Sequence, residues 1–290
     1  MNDYLLAVLL GIIEGLTEFL PVSSTAHLRI AQAMLGVDMS SGYWKMFSVV
    51  IQLGAILCVP IYFQRRILSF VSTFPNGTNG DRNAATHPLT LTLVAFVVTA
   101  IPTALLTRVI GENLESLHVM AASLIVGGLV MLVVEALYER NILARIERRT
   151  SDLEKMSVGQ AILIGASQVL AAVFPGTSRS MATIAGGQLV GMSRAAALEF
   201  SFFLSIPTMI AATGYDLLKA LTNDDHTSSL GSAPANAHQW MVLAIGFLVS
   251  FVVAYAVVAW FMRFVRKSGF ASFGIYRIIF GIIVFWWAMR

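Results

Sequence analysis

Two short polar stretches interrupt long apolar runs, and their side chains are those of phosphoryl chemistry. In the first, Glu14 and Glu18 precede Pro21-Val22-Ser23-Ser24-Thr25-Ala26-His27. Residues four apart stack on one face of a helix, so the two carboxylates lie about one turn apart. Their repulsion either keeps one proton on the pair or draws a cation between them. Three hydroxyls and an imidazole follow at the break. Ser24 is a candidate nucleophile, and His27, three residues on, a candidate base for it. One of Ser23, Ser24 and Thr25 is needed to cap the helix that restarts there, which leaves the other hydroxyls and His27 unexplained by capping. The second stretch, Pro175-Gly176-Thr177-Ser178-Arg179-Ser180, offers a guanidinium, hydroxyls and backbone N–H groups at a helix start, a set suited to phosphate oxygens. Gly176 permits close backbone approach. The Gly-x4-Gly-Lys-[Ser/Thr] spacing of a Walker loop is absent. The competing structural reading makes Arg179 an internal partner of Glu14 or Glu18. Joined, the two stretches suggest phosphoryl chemistry on an amphiphile.

The elements that must position these residues are set by the solvent around them. Of 290 residues, 57% are hydrophobic and 12% charged, and the mean hydropathy is +0.76. Soluble domains carry about 25% charged residues, so the surface must meet lipid. Disorder is excluded by the apolar content, and a disulfide scaffold by the single Cys58. The net charge of +3 is small and its basic residues fall in short loops, so no nucleic-acid partner is expected. Runs of about 20 apolar residues predict six spans, at 43–63, 88–110, 117–138, 196–219, 239–262 and 270–289. Segments 4–36 and 157–191 are also apolar but are broken at the two polar stretches. Non-helical backbone at membrane depth survives only where protein buries it or water reaches it, so both read as re-entrant helix-turn-helix hairpins. The expected fold is an all-α integral membrane protein of one domain, 1–290.

With two hairpins and six spans, twelve of the nineteen Lys and Arg residues fall on one side. By the positive-inside rule that side is cytoplasmic, which puts both termini and the mouth of the first hairpin outside. Arg29, Arg179 and Arg277 lie within the membrane layer. The start, Met1-Asn2-Asp3, does not look like a cleaved signal peptide. Segments 72–87 and 222–238 read as solvated connectors. Laying residue i over i+154 aligns Gly11 with Gly165, Glu14 with Gln168, Pro21 with Pro175 and Ser24 with Ser178. The halves, about 1–140 and 155–290, each hold a hairpin and three spans. Three is odd, so the second copy is inverted, as in secondary transporters whose site forms at the repeat interface.

At these residues the chain resembles the undecaprenyl-diphosphate phosphatase family, also called the bacitracin-resistance protein family. The likeness is carried by Glu14 to His27, Val50-Ile51-Gln52-Leu53-Gly54, Pro175 to Ser180 and Glu199-Phe200-Ser201-Phe202-Phe203-Leu204-Ser205-Ile206-Pro207, with a fainter match at Tyr276-Arg277-Ile278. Ala26 and Met181 stand where the family commonly has Gly. The resemblance implies hydrolysis of undecaprenyl diphosphate to the monophosphate carrier lipid of cell-wall synthesis, assisted by Mg2+ or Ca2+. It implies Glu14 and Glu18 as metal or proton carriers, Ser24 and His27 as nucleophile and acid/base in either order, and Arg179 as the diphosphate clamp. Ser23, Thr25, Gln52, Gly176, Thr177, Ser178 and Ser180 would complete the substrate contacts. The partners implied are the polyprenyl diphosphate and membrane lipid, and a homodimer is left open. The rival class is a transporter or flippase of a phosphorylated polyprenyl lipid. The acid-phosphatase-like lipid phosphatases are disfavoured, since their Lys-x6-Arg-Pro and Ser-Gly-His signatures are absent.

Overall fold

The computed structural model describes residues 2–37, 42–106, 116–145, 150–222, 234 and 236–289, without the side chains of 141–145 and 216–222. These residues are helical, and no strand forms among them beyond one isolated bridge, Thr150 with Met192. The helices are α1 (Asp3–Thr17), α2 (Ser24–Met34), α3 (Gly42–Tyr62), α4 (Gln64–Thr73), α5 (Pro88–Leu105), α6 (Leu117–Arg145), α7 (Val158–Val173), α8 (Arg179–Leu189), α9 (Arg194–Thr222), α10 (Ala237–Ser268) and α11 (Ala271–Ala288). Six of them, α3, α5, α6, α9, α10 and α11, are long and apolar enough to cross a membrane. These are the six expected spans. The 15 residues of α1 and 11 of α2 reach about 22 and 16 Å at 1.5 Å per residue, each short of a bilayer's apolar core.

The chain divides into two compact units. The first comprises Met1–Phe19, Ser24–Tyr62 and Ser205–Ala259. Its core packs Leu6, Ala7, Leu10, Leu28, Phe47, Ile51, Val242 and Leu243 together. Glycines let the helices meet backbone to backbone. A Cβ on Gly15 of α1 would lie 2.7 Å from the Ser250 carbonyl of α10, and one on Gly54 of α3 would lie 2.5 Å from that of Phe247. Ser250 Oγ donates to the Ile51 carbonyl at 2.7 Å, a polar tie inside an apolar layer.

The second unit comprises Leu20–Ser23, Phe63–Leu204 and Trp260–Arg290. In it α6 meets α11 through Gly128 and Gly274, where a Gly128 Cβ would lie 2.7 Å from the Gly274 carbonyl. Thr99 of α5 donates to the Gly165 carbonyl of α7 at 2.8 Å and accepts from Gln168 Nε2 at 3.1 Å. Outward faces carry helical rows of aliphatic side chains, Leu93, Val97 and Ile101 on α5 and Ile275, Ile279 and Ile282 on α11, all exposed. Such rows suit acyl chains and would be untenable in water.

Helix α4 was not expected, because a search for 20-residue apolar runs passes over ten residues. Its Phe70 is buried against Phe203 and His87, while Leu68 and Val71 are exposed. Nor is 72–87 merely solvated. Thr78 binds the Glu154 carboxylate through its N–H and hydroxyl, and Arg82 donates to the Met156 carbonyl at 3.1 Å. Arg66 stacks on Phe70 and pairs with Asp152 at 2.5 Å and Glu199 at 3.1 Å. Burial pushes the Asp152 carboxyl up, but the Glu154 N–H and the Arg66 guanidinium outweigh it and hold the group below its ordinary range. His87 caps α5 through Nδ1. Burial and the nearby Arg82 lower its pKa below the ordinary 6.5 against the opposing pull of Glu154. Most of the second connector, 223–233 and 235, lies outside the described residues, as do 107–110 of the second expected span.

Candidate active site

Glu14 and Glu18 sit at the buried end of α1, which Asn2 caps by accepting from the Tyr4 N–H. Glu14 is 1% exposed and Glu18 7%. Helix α1 ends where the Glu18 N–H reaches the Glu14 carbonyl at 2.9 Å. One Glu14 oxygen, Oε1, is buried with no hydrogen-bond partner among the described residues. Ser24, the first residue of α2, donates its hydroxyl to Glu18 Oε2 at 2.5 Å. A hydroxyl has one proton to give, so the group placed to take it is Glu18, six residues earlier, rather than the imidazole ahead of it. His27 is half-buried one turn into α2, Thr25 is exposed, and Gln52 is half-buried on α3. All of these belong to the first unit.

The tip between α1 and α2 and the whole second polar stretch belong to the second unit. Each tip contains a serine in the left-handed region, Ser23 at φ 74° and Ser178 at φ 70°. Such a conformation costs a non-glycine residue about 1–2 kcal/mol, so the surrounding contacts must hold it. Ser178 caps α8 by accepting from the Met181 N–H at 3.3 Å. Its hydroxyl lies 3.0 Å from that of Ser180, which donates to the Leu20 carbonyl of the other tip at 2.9 Å. Because Ser180 spends its proton on Leu20, Ser178 is the donor to Ser180, and the chain of hydroxyls has one direction.

Gly176, at φ 93°, could not be another residue, since a Cβ would lie 2.5 Å from the Met120 carbonyl. Thr177 is buried behind it. Arg179, half-buried, donates Nη1 to the Ser201 carbonyl at 3.3 Å. Thr183, one turn on, donates to the Arg179 carbonyl at 2.9 Å and lies 2.7 Å from Ser201 Oγ. The structure thus joins Glu18 to Ser24, and Ser178 to Ser180 to the first tip. Among the described residues, the site's hydrogen bonds run through neither Thr25 nor Gln52. Thr183 was not anticipated, its one signal being its place four residues after Arg179, and Ser201 was singled out only as part of the stretch that carries the family likeness, without a site role. The departures from the family pattern are accommodated, with Ala26 and Met181 both buried.

Chemically, the first group offers a hydroxyl already bound to a carboxylate. The second offers a cation, a helix N-terminus and ordered hydroxyls. Together with six apolar helices, these features define a multi-pass helical membrane protein with two polar groups whose side chains suit phosphate. Residues 7–283 match the family model described as bacitracin resistance protein BacA, and the chain belongs to that family. It is 61% identical over 291 residues to the undecaprenyl-diphosphatase of Koribacter versatilis, covering 100% of both chains. It is 43% identical over 280 residues to undecaprenyl-diphosphatase 2 of Paramagnetospirillum magneticum, covering 96% of each. The undecaprenyl-diphosphatase of Caldanaerobacter subterraneus is 39% identical over 278 residues, 96% of this chain and 93% of that one.

Proposed function

We propose that this chain hydrolyses undecaprenyl diphosphate to the monophosphate and inorganic phosphate. The observation that carries the reading is the Ser24 hydroxyl held on Glu18 at 2.5 Å in a buried polar break. Ser24 Oγ attacks the terminal phosphorus, Glu18 takes its proton, and the bond from phosphorus to the bridging oxygen breaks, releasing the lipid monophosphate. Water then attacks the phosphoserine, giving inorganic phosphate and restoring the hydroxyl. Arg179 and the N–H groups at the start of α8 balance the charge on the transferred group, with Thr177 as a further donor; Ser178 and Ser180 donate to it only by giving up their bonds to Ser180 Oγ and the Leu20 carbonyl. Ser23, Thr25, Gln52 and Gly176 are the remaining proposed substrate contacts. In the other assignment His27 attacks and Ser24 only positions a phosphate.

A divalent cation, Mg2+ or Ca2+, fits the carboxylate pair, because Glu14 Oε1 is a buried oxygen with no partner among the described residues and both ions take hard oxygen ligands. Among the described residues no group of three or more His, Cys, Asp or Glu forms, so Glu14 and Glu18 are the residues that would hold the ion. When bound, the ion supplies neutralisation of phosphate charge. Helices too short to span support re-entrant hairpins around the two tips, and the Lys and Arg distribution supports a mouth on the outer face. Hydrolysis there returns the carrier lipid for reuse. Purified protein in detergent should release phosphate from undecaprenyl diphosphate, and rapid quenching followed by mass spectrometry should find the phosphoryl group on Ser24. A flippase has no two sides to work between in detergent, so absence of phosphate release overturns the reading. Phosphate on His27 instead moves the nucleophile.

A further inference from the structure

We propose that Arg277 is the positioning residue of this centre, holding the two hairpin tips in register through their backbone; the proposal rests on the diphosphatase reading above. Arg277 lies in α11 and is 0% exposed. Its Nη1 donates to the Pro21 carbonyl at 3.0 Å, and its Nη2 donates to the Gly176 carbonyl at 2.9 Å and the Ser123 carbonyl at 3.0 Å. Pro21 belongs to the first tip, Gly176 to the second and Ser123 to α6, so one planar group spans both tips and ties them to a helix. Its Nε has no partner and its charge no ion pair among the described residues.

A buried cation kept for stability alone is usually matched by a carboxylate. This one gives two of its three bonds to carbonyls that the helix breaks leave open, those of Pro21 and Gly176, and an unsatisfied carbonyl at membrane depth costs several kcal/mol. The surroundings are shaped to the group. A Cβ on Gly127 would fall inside contact distance of Nη2, and Gly128 and Gly274 bring α6 against α11 at the same level. The tip residues flanking these carbonyls are the ones the reaction uses. Ser24 follows the first tip by one residue, and Arg179 and Ser180 follow Gly176 by three and four. The rigid fork of the guanidinium therefore sets the spacing of the two tips, Pro21 against Gly176. A lysine has charge and donors but no fork.

The test compares wild type, Arg277→Lys, Arg277→Met and Gly127→Ala as purified full-length protein, measuring phosphate release from undecaprenyl diphosphate. A misplacement of about 1 Å costs on the order of a hundredfold. We expect kcat to fall about a hundredfold in Arg277→Met and at least tenfold in Arg277→Lys, with KM within about threefold because the lipid tail still binds. Gly127→Ala keeps the arginine but crowds Nη2, and carries the same expectation if Arg277→Met does not fold. Variants with lowered thermal midpoints but kcat within about twofold of wild type overturn the inference. So does a raised KM with kcat kept, which would make Arg277 a substrate contact, or full rescue by lysine. A wild type that releases no phosphate overturns the diphosphatase reading and this proposal with it.

Discussion

Replacing Glu18 with glutamine tests the centre most directly, because it keeps the side chain's shape and removes only its charge and basicity. Both Glu18 and Ser24 are 7% exposed, so water cannot substitute for the lost partner. The 2.5 Å contact is in the range of a charge-assisted O–H···O bond. Such a bond contributes about 1.5–3 kcal/mol, and loss of a positioned general base about 10²–10⁴ in rate. The amide oxygen of glutamine can still accept from Ser24, so most of the orientation survives and the missing function is proton acceptance. We expect kcat to fall roughly 10²–10⁴-fold with KM little changed, read as phosphate release from undecaprenyl diphosphate in detergent. Ser24→Ala should lose at least as much. Because the two groups act as a unit, the double variant should be no worse than the worse single one. Two outcomes refute the reasoning: Glu18→Gln turnover within about fivefold of wild type, or single losses that multiply in the double variant.

Three further outcomes follow from the same geometry. Chelation should abolish turnover and added Mg2+ or Ca2+ restore it, with Glu14→Gln raising the ion concentration needed at half-maximal rate; an unchanged ion requirement removes Glu14 from the ligand set. In Gly15→Ala the new Cβ meets the Ser250 carbonyl at 2.7 Å and Val253 Cβ at 2.8 Å, so overpacking of about 1–3 kcal/mol should lower the thermal midpoint, checked by unfolding in detergent. The lowered pKa of His87 means the unfolded chain binds the proton more readily. Its stabilising effect is complete above pH 6.5 and declines as pH falls below that value toward its folded pKa. Thermal midpoints measured down from pH 7.5 should show that decline, and His87→Asn, which keeps an N-capping side chain, should flatten it.

What the sequence disclosed, and what it hid, divides by the range of the interaction. Six spans were legible because a bilayer demands about 20 consecutive apolar residues, a requirement met within each segment. The polar breaks were legible because Glu14, Glu18 and Arg179 are expensive at membrane depth and so stand out. The partner of Ser24 was not, since spacing along α2 favours His27, while the chain's reversal at the tip brings Glu18 back to it. Helix α4 was missed for a related reason: ten residues with Phe70 inward owe their form to packing against Phe203 rather than to an apolar run. Thr78 and Arg82 in the following connector take partners more than seventy residues away, which no local pattern reveals.

Arg277 shows the same limit and also why the tips can be built at all. In the sequence it is one basic residue in an apolar run, visible as an anomaly but without an assignable partner. Its three acceptors are main-chain carbonyls, and a carbonyl has no signature in side-chain identity. Yet the need for such a donor was implicit in the two breaks. Each interrupted helix leaves carbonyls without the N–H that a fourth residue would have supplied, in a layer where water is scarce. The chain meets this need with one five-donor group and clears space for it with glycine at 127 and close glycine packing at 128 and 274. Serines held at positive φ on both tips are then tolerable, because backbone anchored on either side cannot relax to the extended form without giving up those bonds. The strain, the buried cation and the missing Cβ atoms are therefore one arrangement. Restoring a Cβ at Gly127 should disturb the tips as surely as removing the guanidinium does.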